Sequence, residues 1–217
     1  MTDSYRHKGL RKRLIDEIRK KGITDEPLLA AMGSLPRHFF MDSAFADHAY
    51  EDKAFPIGSE QTISQPYTVA YMTQLLEVKK GDKILEIGTG SGYQAAILAM
   101  LGASVFSIER QENLFLETKK RLVELGFPGI RCFWKDGSNG LSEFAPFDKI
   151  IVTAGAVVVP EKLCNQLKIG GRLVIPVGET EQKMGLVIRL SETDFETKWL
   201  DSFRFVPFLE GVSRKSG

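Results

Sequence analysis

The spacing of apolar positions near the start of the chain predicts two helices. One helical face is formed by Leu10, Leu14, Ile15 and Ile18. This pattern indicates an amphipathic helix that ends at Gly22. A short second helix should follow, with Thr24 as its N-cap, Pro27 in its first turn and Gly33 just beyond its end.

A long stretch with little periodicity separates these helices from the next one. Residues 34–66 contain Pro36, Pro56, Gly58 and Pro66 and few regularly spaced apolar positions. Loops of this length are uncommon in compact domains and are usually functional. Residues 67–78 return to a helical pattern, so the irregular stretch is bounded on both sides.

From Lys83 onward, short apolar runs alternate with helical segments. We predict strands over 83–87, 103–108, 130–134, 147–153, 171–177, 185–190 and 198–208, and helices over 93–101, 111–125 and 160–167. Repeated βα units predict a doubly wound, mostly parallel seven-stranded α/β sheet. The last two strands have no helix between them, which indicates an antiparallel edge. We expect residues 1–78 to form a helical and substrate-loop segment and 79–217 an α/β domain, together one compact unit.

The first strand of this sheet runs into three glycines, Gly88, Gly90 and Gly92. Ligands of such sheets bind beyond the carboxyl ends of the strands, near the point where strand order reverses. Glycines let the backbone turn sharply there and approach a ligand without Cβ clashes. Glu109 ends the second strand, where its carboxylate can accept hydrogen bonds from both ribose hydroxyls. These features indicate a nucleoside-containing cofactor.

Two cofactor classes compete for this loop. The dinucleotide fingerprint G-x-G-x-x-G/A places a pyrophosphate on a helix N-terminus, but here the third glycine comes one residue early. Glu86 would repel a pyrophosphate, whereas it would attract the ammonium of S-adenosylmethionine. We therefore favour S-adenosylmethionine over NAD. The expected cofactor contacts are Glu86, Gly88, Thr89, Gly90, Ser91, Gly92, Glu109, Asp136, Gly137 and Thr153.

Two of these contacts have a competing structural interpretation. Asp136, after the third strand, could accept a hydrogen bond from the adenine amine, or it could be a turn residue with Gly137. Glu109 could instead be a helix N-cap. The residues alone leave these alternatives open.

Several acceptor chemistries are disfavoured by the sequence. The stretch after the fourth strand, residues 152–155, is not the Asn/Asp-Pro-Pro-aromatic run typical of base-amine methylation. Cys132 lies in a strand pattern and Cys164 in a helix pattern, so no catalytic thiol is evident. No His, Cys or Asp cluster has metal-ligand spacing, and we expect no metal. His38 and His48 could be bases, but structural histidines are the favoured interpretation.

Composition narrows the expected partners and compartment. The net formal charge of the 217 residues is +1, which gives no reason to expect nucleic acid or membrane as a partner. The first residues are too charged for a secretory signal, and no apolar run is long enough to span a membrane. With only two cysteines, both expected to be reduced, we predict a cytoplasmic protein. We also expect it to be a monomer.

Residues 56–72, PIGSEQTISQPYTVAYM, carry the most specific pattern in the chain. The run Gly58 to Pro66, with Thr62-Ile63-Ser64 inside it, resembles the protein-L-isoaspartate (D-aspartate) O-methyltransferase family. Further matching segments lie at 35–39, 86–94, 136–137, 147–148, 160–163, 170–178 and 205–207, so the resemblance spans most of the chain. It departs from the family at Glu60, Lys135 and the loop 153–160.

This resemblance implies a Rossmann-like fold and a protein-repair reaction. The enzyme would transfer a methyl group from S-adenosylmethionine to the free α-carboxyl of L-isoaspartyl, and possibly D-aspartyl, residues in damaged proteins and peptides. The products would be S-adenosylhomocysteine and an ester that cyclises to a succinimide. The alternatives are a methyltransferase with another acceptor, or a homologue that binds the cofactor without catalysis because of Glu60.

The chemistry of such a reaction can be argued from the residues themselves. A carboxyl with a pKa near 4 is already ionised at neutral pH, so its oxygen needs no general base. Alignment alone can contribute about 7–11 kcal/mol. Ser64 can orient the carboxylate through one hydrogen bond and is our catalytic candidate, although it could instead cap the next helix. The expected substrate contacts are Gln61, Thr62, Ile63, Ser64, Gln65 and, by the resemblance, Val206.

Overall fold

The N-terminal part of the computed structural model, which describes residues 2–214, is mostly helical. Its elements are α1 (Tyr5–Lys20), α2 (Glu26–Ser34), the hairpin strands β1 (Phe55–Gly58) and β2 (Gln61–Ile63), and α3 (Pro66–Leu76). α1 begins with a capping box between Ser4 and His7. It ends with basic residues, whose positive charge interacts favourably with the negative end of the helix dipole. Its predicted apolar face is buried at Leu14, Ile15 and Ile18.

The predicted N-cap of α2 was wrong by one residue, and the predicted end of the helix was also wrong. The N-cap is Asp25, whose Oδ1 accepts from the Leu28 N–H at 3.0 Å. Thr24 instead donates its backbone N–H to Gln74 of α3. Gly33 lies inside the helix because the helix continues to Ser34.

The stretch 34–66 is more regular than its sequence indicates. It contains two short 3-10 helices, Arg37–Phe40 and Ser43–His48, and the β1–β2 hairpin. The two residues between the strands, Ser59 and Glu60, both have positive φ, at 49° and 57°. Two-residue hairpin turns of this kind usually carry Asn or Gly, so Ser-Glu gives no turn signal in the sequence.

The α/β part is a seven-stranded sheet in the order β5-β4-β3-β6-β7-β8-β9. Its strands are β3 (Lys83–Ile87), β4 (Ser104–Glu109), β5 (Arg131–Trp134), β6 (Phe147–Val152), β7 (Leu167–Val177), β8 (Gln182–Arg189) and β9 (Phe195–Phe203). The strands from β5 to β7 are parallel, and β8 pairs antiparallel with both β7 and β9. The predicted fold class and its antiparallel edge are therefore confirmed.

Helices α4 (Tyr93–Met100), α5 (Glu112–Glu124) and α6 (Glu161–Cys164) connect the parallel strands. α6 is much shorter than predicted, because Leu167 already pairs with Phe147 as the start of β7. One buried cluster contains Leu14 and Ile18 of α1 together with Ile97 of α4 and Leu122 of α5. The helical segment and the sheet thus share apolar packing. No helix among residues 2–214 is long and apolar enough to cross a membrane.

Candidate active site

A cavity lies at the carboxyl ends of β3, β4 and β6, where strand order reverses. This is the position at which open α/β sheets bind ligands. The predicted residues that line it are Gln61, Thr62, Ile63, Ser64, Gly88, Thr89, Gly90, Ser91, Glu109, Gly137, Thr153 and Val206. Glu86, Gly92, Asp136 and Gln65 are not among the residues of its wall.

The glycine loop is shaped by close contacts that leave no space for side chains. Gly88 has a φ of 96°, and a Cβ there would lie 2.5 Å from the Thr153 hydroxyl. That hydroxyl donates to the Gly88 carbonyl at 2.8 Å. Gly92 has a φ of 87°, and its Cβ would meet Thr118 of α5 at 2.8 Å. Gly92 therefore supports the loop by packing, as the N-cap residue of α4.

Glu109 lies in the cavity wall and holds the loop in place. Its two carboxylate oxygens accept the backbone N–H groups of Gly90 at 2.9 Å and Gln111 at 2.8 Å. Burial raises its pKa, and these two N–H groups oppose the rise. Each oxygen keeps a second lone pair, so it can still accept a hydrogen bond from a ribose hydroxyl. The predicted ribose contact and the bond to the chain before α5 are therefore compatible.

The position of Glu86 corrects the electrostatic argument made from the sequence. Its side chain is fully buried, and its Oε2 accepts a hydrogen bond from the Ser107 hydroxyl, while Oε1 has no partner. Ser107 lies 2.6 Å, oxygen to oxygen, from the hydroxyl of Thr89, which does line the cavity. Burial raises the pKa of Glu86 to about 8. Glu86 is thus a buried carboxyl behind the loop, linked to it through two hydroxyls.

Asp136 is likewise occupied by the protein itself. Oδ1 accepts the Ser138 N–H at 2.9 Å and Oδ2 accepts the Gly211 N–H at 2.8 Å. Burial raises its pKa, but these N–H groups together hold it below the ordinary value. The next residue, Gly137, lines the cavity in place of Asp136. The turn interpretation therefore fits this position better than a direct adenine contact.

Gly211 belongs to residues 207–213, which we call the strap. Its first two residues were predicted as the end of a strand over 198–208, but β9 ends at Phe203, and the rest of the strap was not predicted from the sequence. The strap crosses the cavity, and Pro207, Phe208 and Leu209 line it. Bridges tie its ends to the loop after β6 at Gly155–Pro207 and to the start of α5 at Gln111–Ser213. Its middle is also held by Arg110, which donates to the Gly211 carbonyl at 3.0 Å. The segment has no periodic signal because its bonds are long-range and involve the backbone.

A second cavity of about 560 Å³ adjoins the first and opens to solvent; we call it the acceptor groove. Thr62, Ser64, Thr153 and Val206 line both. Gln65 lines the groove only. The Ser64 hydroxyl has no hydrogen-bond partner within residues 2–214. Since Gln65 is the N-cap residue of α3, Ser64 is not used for capping and remains available at the junction.

Asp52 fixes the chain beside Ser64, and its role was not predicted from the sequence. Its side chain is 5% exposed. Oδ1 accepts the Tyr67 N–H at 2.7 Å, and Oδ2 accepts from Gln65 at 3.0 Å and from Lys21 at 2.7 Å. Asp52, from a distant part of the chain, thus accepts a hydrogen bond from a backbone N–H in the first turn of α3. Its distance in sequence from the helix explains why local signals do not reveal it.

The other residues considered from the sequence lie outside both cavities. Glu60 is exposed at the hairpin tip, so its carboxylate does not line the groove. His38 bonds Tyr50 at 2.7 Å and His48 bonds Glu51 at 2.6 Å. Cys132 and Cys164 are free thiols whose pKa burial raises to about 12 and about 11. None of these side chains is a base or a nucleophile of this site.

The structure brings together three potential metal ligands that are far apart in sequence, Asp3, His7 and His38. Their ligand atoms lie within 4.8 Å of one another. Both oxygens of Asp3, however, accept hydrogen bonds from Arg11, at 3.0 and 2.9 Å. The imidazole rings of His7 and His38 stand 4.0 Å apart, centroid to centroid. Closely packed, tilted rings and a cation beside the carboxylate fit an N-terminal packing cluster better than a metal centre.

Comparisons with known proteins agree with this geometry. The family model for protein-L-isoaspartate(D-aspartate) O-methyltransferase matches residues 9–213. The chain is 59% identical to the protein-L-isoaspartate O-methyltransferase of Christiangramia forsetii, over 97% of this chain and 99% of the relative. It is 57% identical to that of Flavobacterium psychrophilum, with the same coverage.

Solved structures share the fold. A protein-L-isoaspartate O-methyltransferase superposes with a TM-score of 0.82 at 29% identity, over 91% of this chain and 65% of that longer chain. A Plasmodium falciparum structure in complex with S-adenosyl-L-homocysteine has a TM-score of 0.81 at 23% identity, covering 92% of this chain and 98% of that one. On the family match and the identity of these relatives, the chain belongs to the protein-L-isoaspartate(D-aspartate) O-methyltransferase family.

Proposed function

We propose that this chain transfers a methyl group from S-adenosylmethionine to the free α-carboxylate of L-isoaspartyl residues in damaged proteins. Membership of the family and the names of its relatives support this reaction. The observation that carries the assignment is that the cavity at the glycine loop and the acceptor groove meet at Ser64. The ester formed would close to a succinimide, which starts repair.

The residues of the first cavity fit S-adenosylmethionine. The glycine loop offers backbone without side chains, and Glu109 offers acceptor oxygens for the ribose hydroxyls. Ile108, Phe208 and Leu209 offer apolar surface for the adenine. When bound, the group supplies a methyl on a positively charged sulfur. This chain would hold the cofactor so that its methyl faces Ser64.

The acceptor side needs orientation rather than a base. An isoaspartyl α-carboxylate is ionised at neutral pH and is itself the nucleophile. The Ser64 hydroxyl would donate one hydrogen bond to it, which fixes the carboxylate without neutralising it. Thr62 and Val206 flank the same junction and would hold the peptide backbone beside Ser64. Selectivity would follow from the extra backbone methylene of isoaspartate, which redirects the chain.

We also propose that the enzyme works as a cytoplasmic monomer. Its partners would be isoaspartyl proteins and peptides, and not nucleic acid or a membrane. The near-neutral net charge of +1 supports this proposal, since it gives no general attraction to polyanions.

Methyl transfer to a matched pair of peptides tests the proposed function. One peptide carries isoaspartate and the other carries aspartate at the same position, and the methyl group of S-adenosylmethionine is labelled. The proposal expects label on the isoaspartyl peptide alone, in a form that base releases. Tight cofactor binding without label on either peptide would instead assign the site to another acceptor.

A further inference from the structure

The acceptor groove has two charged residues in its wall, Glu181 and Arg204. Both side chains are exposed. Neither side chain has an ion-pair or hydrogen-bond partner among residues 2–214. The remaining residues of the wall are neutral. A peptide in this groove would therefore meet one uncompensated cation and one uncompensated anion.

Arg204 lines the acceptor groove only, two residues before Val206, which lines both cavities. Phe203 and Phe205 pack on the core cluster beneath α3, and Phe203 contacts Tyr71 with ring centroids 5.1 Å apart. Arg204 and Val206 alternate with them along the chain, and all four residues line the groove. In an extended chain, residues two apart are separated by about 7 Å.

Glu181 directly precedes β8, Arg204 directly follows β9, and both residues line the acceptor groove. β8 and β9 pair antiparallel with Gln182 opposite Phe203, and the Gln182 side chain accepts the Phe205 N–H at 2.9 Å. Continuing this register by one residue places Glu181 opposite Arg204. The two side chains do not form an ion pair within 4.0 Å. Glu181 therefore only partly offsets the positive potential of Arg204.

We propose that Arg204 is a specificity-determining residue, which favours isoaspartyl peptides that carry an acidic side chain about two residues from the damaged site. The inference rests on the proposed function. A peptide whose reacting carboxylate lies at Ser64 and Val206 would run alongside the 204–206 segment with the same rise per residue. Its side chain two positions away would then lie beside Arg204, and Glu181 would weaken the preference.

The expected effect is modest and confined to binding. An exposed ion pair corresponds to about a 2- to 5-fold change in affinity. Arg204 touches no reacting atom in this arrangement, so KM should change while kcat stays constant. Screening by salt should reduce the effect, because both charges are exposed.

The test measures KM and kcat for isoaspartyl peptides with Glu or Lys placed two residues before or two residues after the isoaspartate. For the unmodified enzyme we expect about a 2- to 5-fold lower KM for the Glu peptide at one of the two positions. Arg204→Glu should reverse the order, Glu181→Gln should enlarge the difference, and high salt should abolish it. Arg13→Glu, an exposed site on α1, makes the same change in net charge and should leave the ratio unaltered.

Two results would overturn the inference. Equal KM values for the Glu and Lys peptides at both positions, with normal turnover, would remove Arg204 from specificity and leave the proposed function intact. Equal responses of Arg204→Glu and Arg13→Glu would assign the preference to net charge alone. Failure of the unmodified enzyme to methylate any of the isoaspartyl peptides would instead contradict the proposed function, and the inference with it.

Discussion

Ser64 joins the two cavities, and its hydroxyl is free of other bonds among residues 2–214. Its candidacy could be predicted from the sequence, because the Thr-Ile-Ser-x-Pro run carries the family resemblance. Its freedom from helix capping could not be predicted, since a serine two residues before Pro66 has the pattern of an N-cap. Only the position of the helix start, at Pro66 with Gln65 before it, separates the two roles.

Replacing Ser64 by alanine should reduce esterification and leave cofactor binding unchanged. A hydrogen bond to a charged group is worth about 1.5–3 kcal/mol, so kcat/KM should fall by about 10- to 100-fold. Calorimetric titration with S-adenosylhomocysteine provides the binding measurement. Ser202→Ala, which removes another groove hydroxyl, is the matched control and should change kcat/KM little. Equal losses in both variants would contradict a special role for Ser64.

Glu86 shows where a residue type could be predicted but its environment could not. The motif places an acid before the glycines, but the depth of its burial depends on packing between the sheet and α4 and α5. Its folded-state pKa of about 8 exceeds the ordinary 4.5, so the folded protein binds this proton more tightly. Stability from this group is present below the unfolded pKa and is lost as pH rises to about 8.

Glu86→Gln should therefore become relatively more stable than the unmodified protein as pH rises. The difference in free energy of unfolding should increase by up to about 1.4 kcal/mol per pH unit between about pH 5 and about pH 8. Urea unfolding of both proteins across this range gives the measurement. A difference that stays constant with pH would mean that Glu86 is ionised in the folded state.

At the scale of elements, regular periodicity predicts the sheet and most of its helices, whereas long-range contacts determine their ends. β3 was predicted with the bounds Lys83–Ile87 that it has. The helix predicted over 160–167 is only Glu161–Cys164, because pairing with β6 takes Leu167 into a strand. The hairpin tip at Ser59 and Glu60 was missed because neither residue is typical of left-handed backbone.

The start of α3 depends in the same way on a distant residue, Asp52. Asp52→Ala should lower the free energy of unfolding by about 1–2 kcal/mol, because the part-buried Tyr67 N–H loses its acceptor. The KM for isoaspartyl peptide should rise, since Gln65 next to Ser64 also loses its partner. Chemical denaturation and peptide kinetics measure the two effects.

Lys21→Met is the control for Asp52, because it removes only the partly exposed cation. Its cost should stay below about 1 kcal/mol, with peptide KM unchanged. If Lys21→Met were as destabilising as Asp52→Ala, the ion pair rather than the helix start would explain the role of Asp52.

At the scale of the whole molecule, the strap closes the cofactor cavity with bonds from three separate parts of the chain. Asp136 accepts from Gly211, Arg110 donates to Gly211, and Gly155 pairs with the chain at Val206 and Phe208. From the sequence, Asp136 was an expected cofactor contact, with a bond to the adenine amine and a turn with Gly137 left open as alternatives. The bond to Gly211 could not be foreseen, since it joins residues far apart in the chain.

Asp136→Asn should weaken cofactor binding through the strap. The asparagine side chain has one acceptor oxygen where aspartate has two. Its NH2 group would face one of the two backbone N–H donors, so that one hydrogen bond would be lost. We expect about a 10-fold weaker Kd for S-adenosylhomocysteine, with faster dissociation. The inosine analogue of S-adenosylhomocysteine, which lacks the adenine amine, should bind the variant more weakly by the same factor. A loss seen with the adenine ligand alone would restore the direct adenine contact for Asp136.

The central claim is that the acceptor carboxylate meets the cofactor at Ser64. A crystal structure of the enzyme with S-adenosylhomocysteine and an isoaspartyl peptide measures this directly. We predict a carboxylate oxygen within about 2.5–3.0 Å of the Ser64 Oγ, with the peptide lying along Val206 and the sulfur facing the same carboxylate. A peptide bound with its carboxylate on Arg204, or outside the acceptor groove, would contradict the account.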